Sequence, residues 1–153
     1  MARLAAIALL LAAMGPLLAA CGVISTTPPA PTASDFQGIA TELTKRGIAL
    51  DQLVSGDPGC DDRTLVPTAI SLQAKGLDQA QPVRIYLYIF ADHAAFERLR
   101  AAVDMCARSY VTDPDTYETV ERSPFTLAGQ GPWAPKFAAA VRDALLVAAG
   151  TGG

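Results

Sequence analysis

Beyond Asp35 the hydrophobic residues recur with two periods, one helical and one extended. Phe36, Ile39, Ala40 and Leu43 are spaced as one face of a helix that ends near Arg46. Ser34 or Asp35 can cap its start, Lys45 and Arg46 suit the negative end of its dipole, and Gly47 is a C-terminal stop. Ile48 to Ser55 reads as a short strand. From Ala69 to Lys75 the alternation is clean: Ile70, Leu72 and Ala74 face one side, Ser71, Gln73 and Lys75 the other. That pattern predicts a strand with one wet face. Gly76 to Pro82 supplies a turn, and Val83 to Phe90 is the strongest strand in the chain. Val83, Ile85, Leu87 and Ile89 line one side of it. Tyr86, Tyr88 and Phe90 follow Arg84 on the other. Two such runs joined by a short turn predict an antiparallel hairpin.

Asp92 is placed to cap a helix from His93 to about Arg108, with Phe96, Leu99, Val103, Cys106 and Tyr110 on its apolar stripe. Asp113-Pro114 opens a turn. Tyr117 to Ala128 predicts a last strand, bent or interrupted at Ser123-Pro124, where proline cannot donate to a ladder. A final helix from about Pro135 to Ala149 carries Phe137, Val141, Ala144, Leu145 and Ala148 on one face. The expected class is α+β, in the order α-β-β-β-α-β-α: about four mostly antiparallel strands, with three helices covering one face of the sheet. No internal repeat is present.

The N-terminus follows a different rule. Arg3 is the only charge before Asp35, and Leu4 to Leu18 is uncharged and apolar. A positive residue before a run of about 15 apolar ones is the pattern of a secretory signal, and the run is short for a membrane span. Leu18-Ala19-Ala20-Cys21 then resembles the lipobox of bacterial lipoproteins: an aliphatic residue, two small residues and a lipid-acceptor cysteine. The resemblance is confined to these four positions. It implies a diacylglyceryl group on the Cys21 thiol, cleavage before Cys21, and acylation of the new amino group. Residues 1–20 are therefore expected to be a signal peptide. Residues 21–34, with Gly22-Val23-Ile24-Ser25-Thr26-Thr27-Pro28-Pro29-Ala30-Pro31 at their core, are expected to be a lipidated, proline-rich tether. Residues 35–150 are expected to be one folded domain. The expected location is a cell membrane, lipid-anchored, on the extracytoplasmic side. Gly22 stands where the resemblance would place an Asp for inner-membrane retention, and which membrane is occupied stays open.

Composition narrows the function. The chain has 153 residues, 51% of them hydrophobic, and a net charge of −3, which suits one domain and disfavours a nucleic-acid partner. Three cysteines are too few for a disulfide-built miniature scaffold. With Cys21 assigned to lipid, Cys60 and Cys106 form an even pair. In an oxidising compartment that pair reads as a disulfide pinning the Ser55–Asp62 turn to the second helix. A reactive-thiol or metal reading lacks a C-x-x-C spacing and a neighbouring His.

Candidate chemistry is sparse. His93 is the single histidine, and no G-x-S-x-G or H-E-x-x-H pattern accompanies it. Asp57, Asp61 and Asp62 lack the spacing of an EF-hand and suit a turn equally well. Gly129-Gln130-Gly131-Pro132-Trp133-Ala134 matches G-x-G-x-x-A, but Pro132 and Pro135 remove amides a phosphate would need. No catalytic set, metal or cofactor is expected. The Tyr86, Tyr88 and Phe90 row is core if something covers it. If nothing does, Tyr86, Tyr88 and Trp133 form a recognition surface. The expectation is a small non-catalytic binding or assembly module, with a membrane contact through Cys21 and an envelope protein or small molecule as partner. The alternatives are a small hydrolase using Asp92 and His93 or the carboxylates of Asp57, Asp61 and Asp62, or a structural spacer.

Overall fold

The computed structural model describes residues 36–150. The signal, lipobox and tether assignments, with Cys21, lie outside the described residues. The chain runs α1 (Gln37–Lys45), β1 (Ile48–Ser55), β2 (Ala69–Gly76), β3 (Gln79–Ile89), α2 (His93–Ala107), β4 (Tyr117–Arg122), β5 (Phe125–Gln130) and α3 (Pro135–Ala148). Short 3-10 turns at Val66–Thr68 and Pro114–Thr116 precede β2 and β4. The strands form one sheet in the order β1-β2-β3-β5-β4, every neighbour antiparallel. The architecture is α+β, in the expected element order.

The strand count is five rather than four. At Ser123-Pro124 the chain does not bend; it reverses, so that Arg122 opposes Phe125 and Val120 opposes Leu127. β5 then inserts between β3 and β4. Two further boundaries move. β3 begins at Gln79, because Gly76 and Leu77 take positive φ and turn the chain within two residues. Pro82 is tolerated there because β5 pairs with β3 only from Ile85 onward, leaving that end an edge. Phe36, rather than Ser34 or Asp35, stands at the N-cap position of α1, without a side-chain cap.

Helices cover both faces of the sheet, not one. On the first face Ile70, Leu72, Ile85, Leu87 and Leu127 pack against Ile39 and Leu43 of α1 and Phe137, Val141 and Leu145 of α3. On the second, Ala69, Tyr88, Phe90 and Ala128 pack against Phe96, Val103 and Cys106 of α2, with Leu65 beside them. Burying an aromatic ring removes about 150–250 Å² from water, so the aromatic row is the strongest reason for α2 to lie there. Asp92 caps α2, its Oδ1 accepting from the Ala95 amide at 2.7 Å. α3 takes its cap from far away. The Asp78 carboxylate, in the β2–β3 turn, accepts from the Lys136 and Phe137 amides at 3.0 Å each. The Lys136 amide is the largest of the influences that hold the Asp78 carboxyl below its usual range. No helix among the described residues is long and apolar enough to cross a membrane.

Candidate functional site

The second face of the sheet gathers most of the polar chemistry. The loop after β1 folds back across it and is fastened by Cys60, by Asp57 and by Pro58. A disulfide joins Cys60 to Cys106 of α2, with Cα atoms 5.4 Å apart. Asp57 Oδ1 accepts from the Gly59 amide at 2.9 Å, and Asp57 Oδ2 from Ser71 Oγ at 2.6 Å. The Pro58 carbonyl accepts from the Tyr88 hydroxyl at 2.8 Å. Gly59 fits because it has no side chain: its φ is +79°, and a Cβ there would lie 2.6 Å from the Tyr86 ring.

Under this loop and α2 lie all four tyrosines of the chain: Tyr86, Tyr88, Tyr110 and Tyr117. Tyr86 stacks on Tyr110 with ring centroids 4.1 Å apart. Burial pushes all four hydroxyls to higher pKa, Tyr110 furthest. Of the two readings of the aromatic row, core holds, and the candidate recognition surface of Tyr86, Tyr88 and Trp133 is not formed. Tyr88 is 0% exposed and Tyr86 half-buried. Trp133 is 5% exposed and belongs to the opposite core, edge-on to Phe137 at 5.8 Å. The physical reason is the loop and α2, which make the aromatic row core.

Beside the tyrosines, the C-terminal half of α2, the segment after it and β4 enclose a groove of about 620 Å³. Its apolar surface comes from Ala107, Val111, Pro114 and Tyr117, its polar groups from Asp104, Arg108, Thr112 and Thr119. Tyr117 Oη donates to Asp104 Oδ1 at 3.0 Å, fixing both side chains. Gln130 fastens the far wall: its Oε1 accepts from the Thr112 amide at 2.7 Å, and its Nε2 donates to Thr116 Oγ1. A volume of this size, mostly apolar with a few fixed polar groups, is the usual form of a small-ligand site. Sequence reasoning missed this groove, because no local pattern joins residues 104–119 across a helix, a loop and a strand.

The remaining sequence candidates have local roles. Asp62 Oδ1 accepts from the Thr64 amide and hydroxyl, as a turn residue does. Gly129 is required by close packing, since a Cβ would lie 2.8 Å from the Arg84 carbonyl and 3.1 Å from the Trp133 ring. His93 is exposed at the first turn of α2, with Nδ1 3.0 Å from Ser123 Oγ. Asp92 binds the Ala95 amide instead of orienting that imidazole. No family model, curated protein or solved structure matches this chain.

Proposed function

We propose that this chain is a lipoprotein held at the extracytoplasmic face of a membrane through Cys21, and that its folded domain is a small non-catalytic binding or assembly module. The Leu18-Ala19-Ala20-Cys21 run supports the anchor. Two or three acyl chains on one cysteine hold a protein stably at a bilayer, where one alone would exchange. The stretch to Ser34, with its three prolines, spaces the domain from the lipid. The observation that carries the binding reading is the groove of about 620 Å³ between α2 and β4. An apolar group can enter between Val111, Pro114 and Tyr117 while Asp104, Arg108 and Thr112 offer hydrogen bonds at the same opening. The arrangement supplies affinity and orientation, with the Tyr117 hydroxyl held by the Asp104 carboxylate at 3.0 Å.

A photo-crosslinking residue at Thr112 tests this in the native cell. Reproducible capture of one envelope protein or one small molecule, lost when Val111→Asp fills the groove with charge, is the expected result. Capture unchanged by Val111→Asp, or the same products from a probe at exposed Lys45 on α1, would refute the groove as the binding site.

A further inference from the structure

A second recess, of about 470 Å³, lies where α2 begins, where β4 turns into β5, and where α3 finishes. It is lined by Asp92, His93, Arg122, Ser123 and Pro124, and closed by Ala149 and Gly150. Its walls carry both signs of charge. Asp92 and Arg122 carry opposite signs and line the same space, yet they form no ion pair with each other. Arg122 has no carboxylate partner among the described residues. The Ser123–His93 pair, 3.0 Å apart, lines the same recess. The last turn of α3 adds a second negative element, since the C-terminal end of a helix carries partial negative charge.

A simple anion here would meet Arg122 but also Asp92 and the end of α3. A simple cation would meet Asp92 but also Arg122. A molecule with both charges a few ångströms apart satisfies each wall. We propose that this recess binds a small zwitterion of the α-amino acid type. Its carboxylate lies against the Arg122 guanidinium and the Ser123 hydroxyl. Its ammonium lies against Asp92 and the C-terminal end of α3. Pro124 and Ala149 supply apolar surface for a side chain. This site is separate from the groove beside Tyr117 and does not depend on the anchor.

His93 makes the test direct, because it is the only histidine in the chain and its imidazole protons report the recess alone. The untagged full chain in detergent micelles is titrated with L-leucine, L-serine, L-lysine and L-glutamate, and the His93 resonances are followed by NMR. A saturable shift with at least one of these is expected, and neither acetate nor isobutylamine reproduces it. Arg122→Ala and Asp92→Asn should each weaken it by about tenfold or more, as expected for loss of a charged hydrogen-bond partner. Asn preserves the helix cap, so the second variant keeps α2 intact. Lys75→Ala, an exposed position on β2, should leave it unchanged. The proposal fails if none of the four amino acids gives a saturable shift up to about 10 mM, the weak limit of useful affinity. It also fails if acetate alone binds as tightly as the best amino acid, or if both recess variants bind as the parent does.

Discussion

Replacing Cys60 and Cys106 together by Ala should destabilise the domain strongly without changing its fold. The bridge closes a separation of 46 residues that contains β2, β3 and most of α2. In the chain-entropy treatment, releasing a loop of that length costs about 4 kcal/mol, and removing a native bridge from a small domain typically costs about 2 to 5 kcal/mol. The native side should change little. Asp57 still accepts from Ser71, and Pro58 still accepts from Tyr88, so the loop keeps its other fastenings. Most of the loss then falls on the unfolded state, which gains freedom. For a domain of this size about 3 kcal/mol corresponds to a fall in Tm of about 10–15 °C. Urea unfolding followed by circular dichroism measures it, comparing the oxidised parent, the parent with reductant and the double variant. The last two should coincide. A loss below about 1 kcal/mol for the double variant would refute the view that this bridge restrains the unfolded chain.

Two glycines should respond in opposite directions. Gly59→Ala forces a side chain into a left-handed position against Tyr86 and should cost about 1–3 kcal/mol, whereas Gly38→Ala, in α1 with open space around it, should add about 0.5–1 kcal/mol; paired urea melts read both. Alkaline pH should weaken the fold from the tyrosine side. The Tyr88 and Tyr110 hydroxyls have folded pKa values raised above the unfolded value of 10.0, so the folded state keeps protons that the unfolded state releases. Their contribution is complete below that value and is lost as pH rises beyond it, by about 1.4 kcal/mol per pH unit for each group. Urea midpoints that stay constant from neutral pH to about pH 11, with tyrosinate absorbance rising before unfolding, would contradict the burial of these hydroxyls.

The parts of the fold written in local periodicity were legible. Alternation through Ile70, Leu72 and Ala74 and through Ile85 and Leu87 placed β2 and β3, and Asp92 marked the start of α2. The β4–β5 hairpin was not legible: the reversal shifts the phase, so that Val120 and Leu127 face one core although seven residues apart, but β4 has too few buried apolar residues to mark the shift. Nor could periodicity say which face of the sheet an amphipathic helix meets, and so α2 was expected beside α1 and α3. The same gap hid the fate of Tyr88, whose burial depends on a loop pinned by a bridge to residue 106. Asp78 capping α3 across 58 residues, and Ser123 meeting His93 across 30, are tertiary encounters with no signature in either local segment. Both cavities are of this kind.

Intact mass spectrometry of the protein extracted from its native membranes decides whether Cys21 carries the proposed lipid. A chain that begins at Cys21 and carries a diacylglyceryl group, with or without an amide-linked acyl chain, is the expected result. A chain that retains residues 1–20, or one that begins at Cys21 with no acyl mass, would contradict it.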